Sequence, residues 1–384
     1  MLALAILASL ISFSKFSHCV GRDWASPDNY IHACYTDIAP LYAEKNLANH
    51  QWSYSNGDKA VEYPPVIGTV MYLTSFPFEG MHGYYYLNVL LLLLLFIATI
   101  FILQRMSQYG FWYALAPAVL ASTLINWDLW AIPTMLLAIY WFDRKKLDLS
   151  ALALGISIAT KFFPVLLLIP IVAISVRNHK FPSRYIFLTI FSWLVINLPV
   201  ALTTPTGWWY FFKLNLERGA DWGSIWNIAQ TFGWTQSNIN SYASIAALTV
   251  LVLSTALFFN LKSTPKLAEV SFIIFAATLI VSKVYSPQYV LWLSALALIA
   301  IDSKQTKIVF WVWQVAEIFY HVAIWEYLAT LSNAKFGLNE TGYALISLIR
   351  IGALAGMVAS LVHQVRFTQR KPWDFLYSAP SRYP

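Results

Sequence analysis

The chain has 384 residues, of which 59% are hydrophobic and only 11% charged. A soluble domain carries about 25% charged residues, so this composition excludes an ordinary soluble protein and indicates one embedded in a membrane. The formal net charge of +7 would suit nucleic acid in a soluble chain; here the basic residues read as topology signals, and no nucleic-acid partner is expected.

Apolar windows of about 15 to 22 residues recur along the chain, which points to helical spans and not to the weak alternation of an outer-membrane barrel. The first expected span is Leu2–Phe16. It lacks a basic start and a clear small-residue cleavage site, so it reads as a retained span and not as a signal peptide. A polar segment from His18 to Pro65 follows, within an outer loop and surface unit covering residues 18–80. Cys19 and Cys34, the only cysteines, lie in it. They could pair in an oxidising compartment, but the reading favoured here is two unpaired thiols. No zinc-type spacing is present, and no metal or cofactor is expected.

Pro64–Phe78 is short and is read as an amphipathic segment lying along the outer membrane surface. The remaining expected spans are Tyr84–Leu103, Phe111–Ile125, Trp127–Phe142, Leu149–Thr160, Phe163–Val176 and Tyr185–Leu202. A long polar loop, Thr203–Asn240, then precedes Tyr242–Leu261, Ala268–Ser282, Gln288–Ile301, Ile308–Leu328 and Tyr343–Val362. The expectation is one all-α membrane domain over residues 1–384, a bundle of about 12 spans, with no internal repeat.

Basic residues collect in the turns at Arg105, Arg144–Lys146, Arg177–Arg184, Lys262–Lys266 and Lys304–Lys307 and in a tail over residues 364–384. The positive-inside rule makes that side, and both termini, cytoplasmic. The opposite, extracytoplasmic side then receives Asp37, Tyr63, Asp128, Lys161, Glu217, Arg218, Asp221, Lys283, Tyr285 and Gln288 from five separate loops or helix ends. This convergence is the main argument from the residues for an active site.

Each candidate has a plainer reading beside it. Asp37 is a candidate general base, or a helix-capping or solvated loop aspartate. Asp128, in the minimal turn Asn126-Trp-Asp128, is an acid near the bilayer that needs a partner or water, or simply caps the next helix. Lys161, on the side where lysines are rare, suits a phosphate, or snorkels. Lys283 could hold a second phosphate oxygen in the proline-broken junction Ser282–Gln288, whose freed backbone groups need partners. The tryptophans around Glu217–Ser224 suit sugar faces but also form interfacial belts. Glu317 and His321 share a helix face, either as a functional pair or as a mutually satisfied one. Arg350 lies mid-span and requires a partner the sequence does not name. Nucleotide-binding loops and serine-nucleophile elbows are absent.

Taken together, Tyr35-Thr-Asp37, Glu62-Tyr-Pro-Pro65, Asn126-Trp-Asp128, Lys161-Phe-Phe-Pro164, Glu217-Arg-Gly-Ala-Asp-Trp-Gly-Ser224 and Lys283-Val-Tyr-Ser-Pro-Gln288 resemble glycosyltransferase family 87. Its members are polytopic class C mannosyltransferases using polyprenyl-phosphate-mannose, with related arabinofuranosyltransferases. The resemblance covers almost the whole chain, departing at a first span that begins without basic flanks. It implies that Asp37 is the catalytic base and that Asp128 matches a second-loop acid of the wider class. Lys161, Arg218 and Lys283 are assigned to the donor phosphate from charge and topology. Tyr63, Asp128, Glu217, Asp221, Tyr285, Gln288 and His321 are expected around the substrates. Expected partners are a polyprenyl-phosphate sugar donor, a lipid or glycan acceptor, and membrane lipids. The rival of another class is a multi-span transporter or lipid flippase, which should show pseudo-symmetric halves broken at the midplane.

Overall fold

The computed structural model describes residues 1–235, 237–261 and 265–367. Part of the Lys262–Lys266 turn and nearly all of the expected tail therefore lie outside the described residues. Among the described residues the chain is helical, with no strand. It is an all-α membrane protein, with six helices long and apolar enough to cross a bilayer: Leu2–Val20, Gly80–Met106, Ser183–Thr203, Ile239–Phe259, Lys304–Leu331 and Glu340–Phe367. Two of these carry a mostly unburied apolar surface: Ile239–Phe259 buries 11% of its most apolar window and Ser183–Thr203 buries 22%. Such faces are stable only against lipid or another apolar partner.

The other expected spans are shorter pieces. Phe111–Ile125 divides into a 3-10 turn, Gly110–Ala114, and the six-residue helix Pro117–Ser122. Trp127–Phe142 becomes a turn at Asp128–Trp130 and the helix Ile132–Asp143. Phe163–Val176 begins with the 3-10 turn Phe163–Leu167 before Leu168–Arg177. Pro117, Pro133 and Pro164 each sit in the first two positions of the new element. A proline there lacks a backbone N–H and cannot donate to the preceding turn, which suits the start of a new element, and Ala116 before Pro117 is extended. Hydropathy alone does not register these interruptions.

The Pro64–Phe78 segment is a ten-residue helix, Pro65–Thr74, packed on Leu147–Thr160 and Ser183–Thr203. Tyr54 explains its close seating. A Cβ on Gly68 would lie 2.2 Å from the Tyr54 hydroxyl, and one on Gly207 would lie 1.9 Å from the Tyr54 carbonyl oxygen. The expected polar loop Thr203–Asn240 is instead largely helical, with Pro205–Glu217 and Ile225–Thr231 inside it.

Cys19 and Cys34 form a disulfide, which corrects the reading of two free thiols. The bridge ties the end of the first long helix to the polar loop, whose helical turn Asp28–Ile31 packs on Lys304–Leu331. The basic turns are cross-linked to one another. Arg184 binds Asp148 at 2.6 Å, Lys266 binds Asp302 at 2.8 Å, and Lys307 lies over the Tyr109 ring. Arg177 reaches the carbonyls of Phe258 and Leu261. These turns mark one end of the bundle. The polar loop marks the other, where Tyr42 packs on Tyr84 and Trp24 on Tyr85 at the start of the 27-residue Gly80–Met106 helix.

Candidate active site

The loop end encloses a cavity of about 780 Å³. Its construction begins where Pro117–Ser122 stops. The backbone beyond Ser122 leaves the carbonyls of Leu124 and Ile125 without helical partners, and buried carbonyls must be satisfied. The polar loop satisfies them: the Thr36 hydroxyl donates to Leu124 O at 2.8 Å, and the Asp37 N–H donates to Ile125 O at 2.7 Å. Asp37 is thereby fixed against the bundle at the entrance to the short helix Ile38–Glu44. Its side chain does not cap that helix, which disposes of the capping alternative.

The Asp37 carboxylate faces the cavity instead. Its Oδ2 accepts a hydrogen bond from the Tyr63 hydroxyl at 3.2 Å, and Tyr35 donates a second one. Burial pushes the carboxyl up from its ordinary 3.8 to about 6, against the pull of the Tyr35 and Tyr63 hydroxyls and the Lys161 charge. Asp128 adds a smaller push in the same upward direction.

Lys161 follows the helix Leu147–Thr160 and reaches the cavity wall with its ammonium over the Tyr63 ring, 4.8 Å from the centroid. It donates to Asp128 Oδ1 at 2.5 Å, and Trp292 Nε1 donates to Asp128 Oδ2 at 2.8 Å. Asp128 is fully buried behind Lys161 and lies off the wall. Both of its oxygens are engaged, and this identifies the partner that an acid near the bilayer requires.

On another wall Arg218 donates to Asp221 Oδ2 at 2.5 Å, and both line the cavity with Gln288. Glu217 is exposed and points elsewhere. Lys283 corrects the phosphate assignment. Its ammonium donates to the carbonyls of Asn215 at 3.1 Å and Arg218 at 2.9 Å, and to Asn240 Oδ1 at 2.5 Å. It thus closes off the carboxyl end of the helix Pro205–Glu217 and lies off the wall. Burial and the neighbouring Arg218 charge lower its pKa.

Tyr285 and His321 also lie behind the wall. The Tyr285 hydroxyl donates to Glu317 Oε1 at 2.6 Å. Arg350, the cation with no partner evident in the sequence, donates to Glu317 Oε2 at 2.8 Å, Tyr285 O at 2.6 Å and Ser286 O at 3.1 Å. Those two carbonyls are the ones freed at the proline-broken junction. Arg350 therefore clamps the segment that presents Ser286, Pro287 and Gln288 to the cavity. His321 is no partner of Glu317: its Nε2 accepts from Trp325 Nε1 at 3.1 Å, and Trp325 reaches the wall.

Aromatic wall residues were the main omission of the sequence reading. Tyr30, Tyr35 and Trp325 form a cluster in which each ring touches the other two, with centroids 5.5 Å (Tyr30–Tyr35), 5.1 Å (Tyr35–Trp325) and 6.2 Å (Tyr30–Trp325) apart. Phe162, Trp209, Phe211, Phe212 and Leu216 add an apolar portion to the lining. Tyr35 stood two residues before Asp37 and Trp325 four after His321, so spacing could have flagged both. The cavity thus combines a carboxyl with a raised pKa, two cations paired with acids, a cluster of aromatic rings and an apolar border. No protein-family model and no curated protein matches the chain.

Proposed function

We propose that this protein is a membrane-embedded inverting glycosyltransferase that moves a hexose, mannose in the first instance, from polyprenyl phosphate to an acceptor hydroxyl. The observation that carries the reading is Asp37: a carboxylate held at about 6 on the wall of a 780 Å³ cavity that also presents Lys161 and Arg218. A general base works best with a pKa near the operating pH. Asp37 takes the proton of the acceptor hydroxyl, whose oxygen attacks the anomeric carbon. The bond from that carbon to the phosphate oxygen breaks on the opposite face, and polyprenyl phosphate leaves with the electron pair. Lys161 and Arg218 stabilise its charge, each already oriented by an acid at 2.5 Å. The Tyr30–Tyr35–Trp325 cluster suits a sugar face, and the border of Phe162, Phe211 and Leu216 suits an isoprenoid tail. A leaving group with a single phosphate needs no metal bridge in this scheme.

The same reading sets the topology at twelve crossings, the short apolar helices pairing into interrupted spans buried among the long ones. Non-helical backbone is tolerated at membrane depth where protein or a wet cavity satisfies it, as at Ile125 and Ser286. The basic end then faces the cytosol with both termini, and the cavity faces the extracytoplasmic side.

The test is incubation of purified protein with labelled polyprenyl-phosphate-mannose and polyprenyl-phosphate-arabinose, against a panel of lipid and glycan acceptors. Transfer from the mannose donor is expected. Transfer from the arabinose donor alone reassigns the sugar and keeps the mechanism. Consumption of neither donor, together with lipid or solute movement across liposomes that survives Asp37→Asn, overturns the proposal in favour of a transporter.

A further inference from the structure

A second cluster of chemistry-bearing residues lies beside the cavity. His18 belongs to the last turn of Leu2–Val20, Asp28 opens the helical turn Asp28–Ile31, and His32 closes it. Their ligand atoms all lie within 4.8 Å of one another. The two imidazoles stack with centroids 3.7 Å apart and planes 8° from parallel. Each turns one nitrogen to the same carboxylate: His18 Nε2 is 2.7 Å from Asp28 Oδ2, and His32 Nδ1 is 3.5 Å from Oδ1.

We propose that His18, Asp28 and His32 form a binding site for Zn²⁺ or a closely similar divalent transition metal. Two neutral imidazoles and one carboxylate are ligands such ions favour, and three protein ligands leave a fourth position for water. Zn²⁺ binds these atoms at about 2.0–2.2 Å, so two ligands on one tetrahedral ion stand roughly 3.3 Å apart. Ligand atoms within 4.8 Å of one another need to converge by about 1.5 Å at most. The side chains, 37%, 35% and 43% exposed, have room to turn and an open path for the ion.

The Cys19–Cys34 bridge makes the site rigid in its backbone. Cys19 follows His18 directly and Cys34 lies two residues after His32, so the disulfide holds the two histidine-bearing segments together whether or not a metal is present. None of the three ligands lines the cavity, but Tyr30, between Asp28 and His32, does. The ion therefore fixes one ring of the aromatic wall and takes no part in the proposed transfer. The sequence shows no familiar zinc spacing because His18 comes from the preceding helix and stands ten residues before Asp28.

The experiment uses full-length protein purified with a histidine-free tag and stripped with a chelator. Titration with Co²⁺ is expected to give one ion per chain with the visible absorption of a low-coordinate site. Zn²⁺ should displace it and raise the thermal midpoint, and Mg²⁺ should do neither. His32→Gln and Asp28→Asn should each weaken binding by more than the roughly 10–100-fold that loss of a mere supporting partner costs, with His50→Gln unchanged. Retention of the disulfide and of the metal-free melting midpoint checks that the variants fold. Independently of any variant, Cu²⁺ on the wild-type chain should show two imidazole nitrogens by electron paramagnetic resonance. Absence of stoichiometric uptake, uptake indifferent to both substitutions, or a Cu²⁺ spectrum without two nitrogens overturns the site. Each outcome is independent of whether sugar transfer is found.

Discussion

Two carboxylates with opposite surroundings organise this protein. Glu317 lies in the interior with both oxygens engaged: Oε1 accepts from Tyr285 and Trp313, and Oε2 accepts from Arg350. Arg350 in turn donates from its two other nitrogens to Tyr285 O and Ser286 O and packs its guanidinium 3.4 Å from the Tyr285 ring centroid. Neither Glu317 nor Arg350 lines the cavity. Asp37 has two tyrosine hydroxyls and an open space, and the lysine whose charge it feels, Lys161, is bound to Asp128. The difference separates a clamp from the group proposed to react. A carboxylate with saturated bonds holds structure, and one held short of saturation beside a cavity retains basicity to use.

The largest effect expected on that contrast is kinetic. Under the proposed function, Asp37→Asn should lower the rate of sugar transfer by about 10²–10⁴-fold, the usual contribution of a general base, while donor binding persists and the variant stays folded. Initial rates and donor affinity on the purified variant check this. A variant retaining wild-type kcat would erase the distinction between the two carboxylates.

The clamp should respond in the opposite currency. Arg350→Met leaves Glu317 buried and unpaired, and removing one partner of a buried pair typically costs about 3–5 kcal/mol of stability. A steep drop in thermal midpoint in detergent is expected. Arg350→Met combined with Glu317→Gln should recover part of it, because the uncompensated charge is gone. Equal losses in the single and double variants would mean that the pair matters for packing alone.

How far these roles could be read from the residues depended on where each side chain's partner came from. Asp37, Tyr63 and Lys161 were legible because each sits at an edge of an apolar run, where polarity is conspicuous. Arg350 and the junction at Pro287 were both recognised as needing partners, yet not as each other's. They stand about 60 residues apart, and only the fold brings them together. Lys283 misled for a related reason. A lysine on the less basic side reads as an anion ligand, but backbone carbonyls satisfy an ammonium equally well and leave no trace in sequence. The all-helical membrane class followed from composition. The division of apolar runs into spanning and shorter helices did not, because hydropathy averages across Pro117, Pro133 and Pro164 without registering that each starts a new element.

The acidity of Asp37 sharpens the comparison at intermediate cost. Its carboxyl must be ionised to act, so kcat/KM should fall tenfold per pH unit below about 6. The linkage has a definite sign. The folded-state value of about 6 lies above the ordinary 3.8, so between these limits the native state holds the proton that the unfolded chain has lost. Stability contributed by this group therefore falls as pH rises through that window and stays lowest above it, with a ceiling of about 3 kcal/mol. The partly exposed carboxylate keeps the real figure below that ceiling. Melting midpoints of wild type and Asp37→Asn should converge at acid pH and separate towards neutrality, with the variant the more stable. A wild type that gains relative stability on the alkaline side would show that Asp37 is held charged by its neighbours.

The smallest effect concerns Lys283, which belongs with the clamp and not with the cavity. Its ammonium holds the carbonyls that end Pro205–Glu217, and its own carbonyl accepts from the Asp221 N–H at 2.8 Å. It thereby positions the Arg218–Asp221 pair that does line the wall. Lys283→Met should loosen Arg218 and raise the donor KM by about tenfold, equivalent to one charge-assisted bond of roughly 1.4 kcal/mol, with kcat nearly unchanged. Lys283→Arg should restore most of the loss, because a guanidinium can still donate to the same carbonyls. A direct phosphate ligand would behave differently: its removal would depress kcat, since charge on the leaving oxygen grows only towards the transition state. A fall in kcat that Lys283→Arg does not restore would move Lys283 back to the reacting atoms and Arg218 away from them.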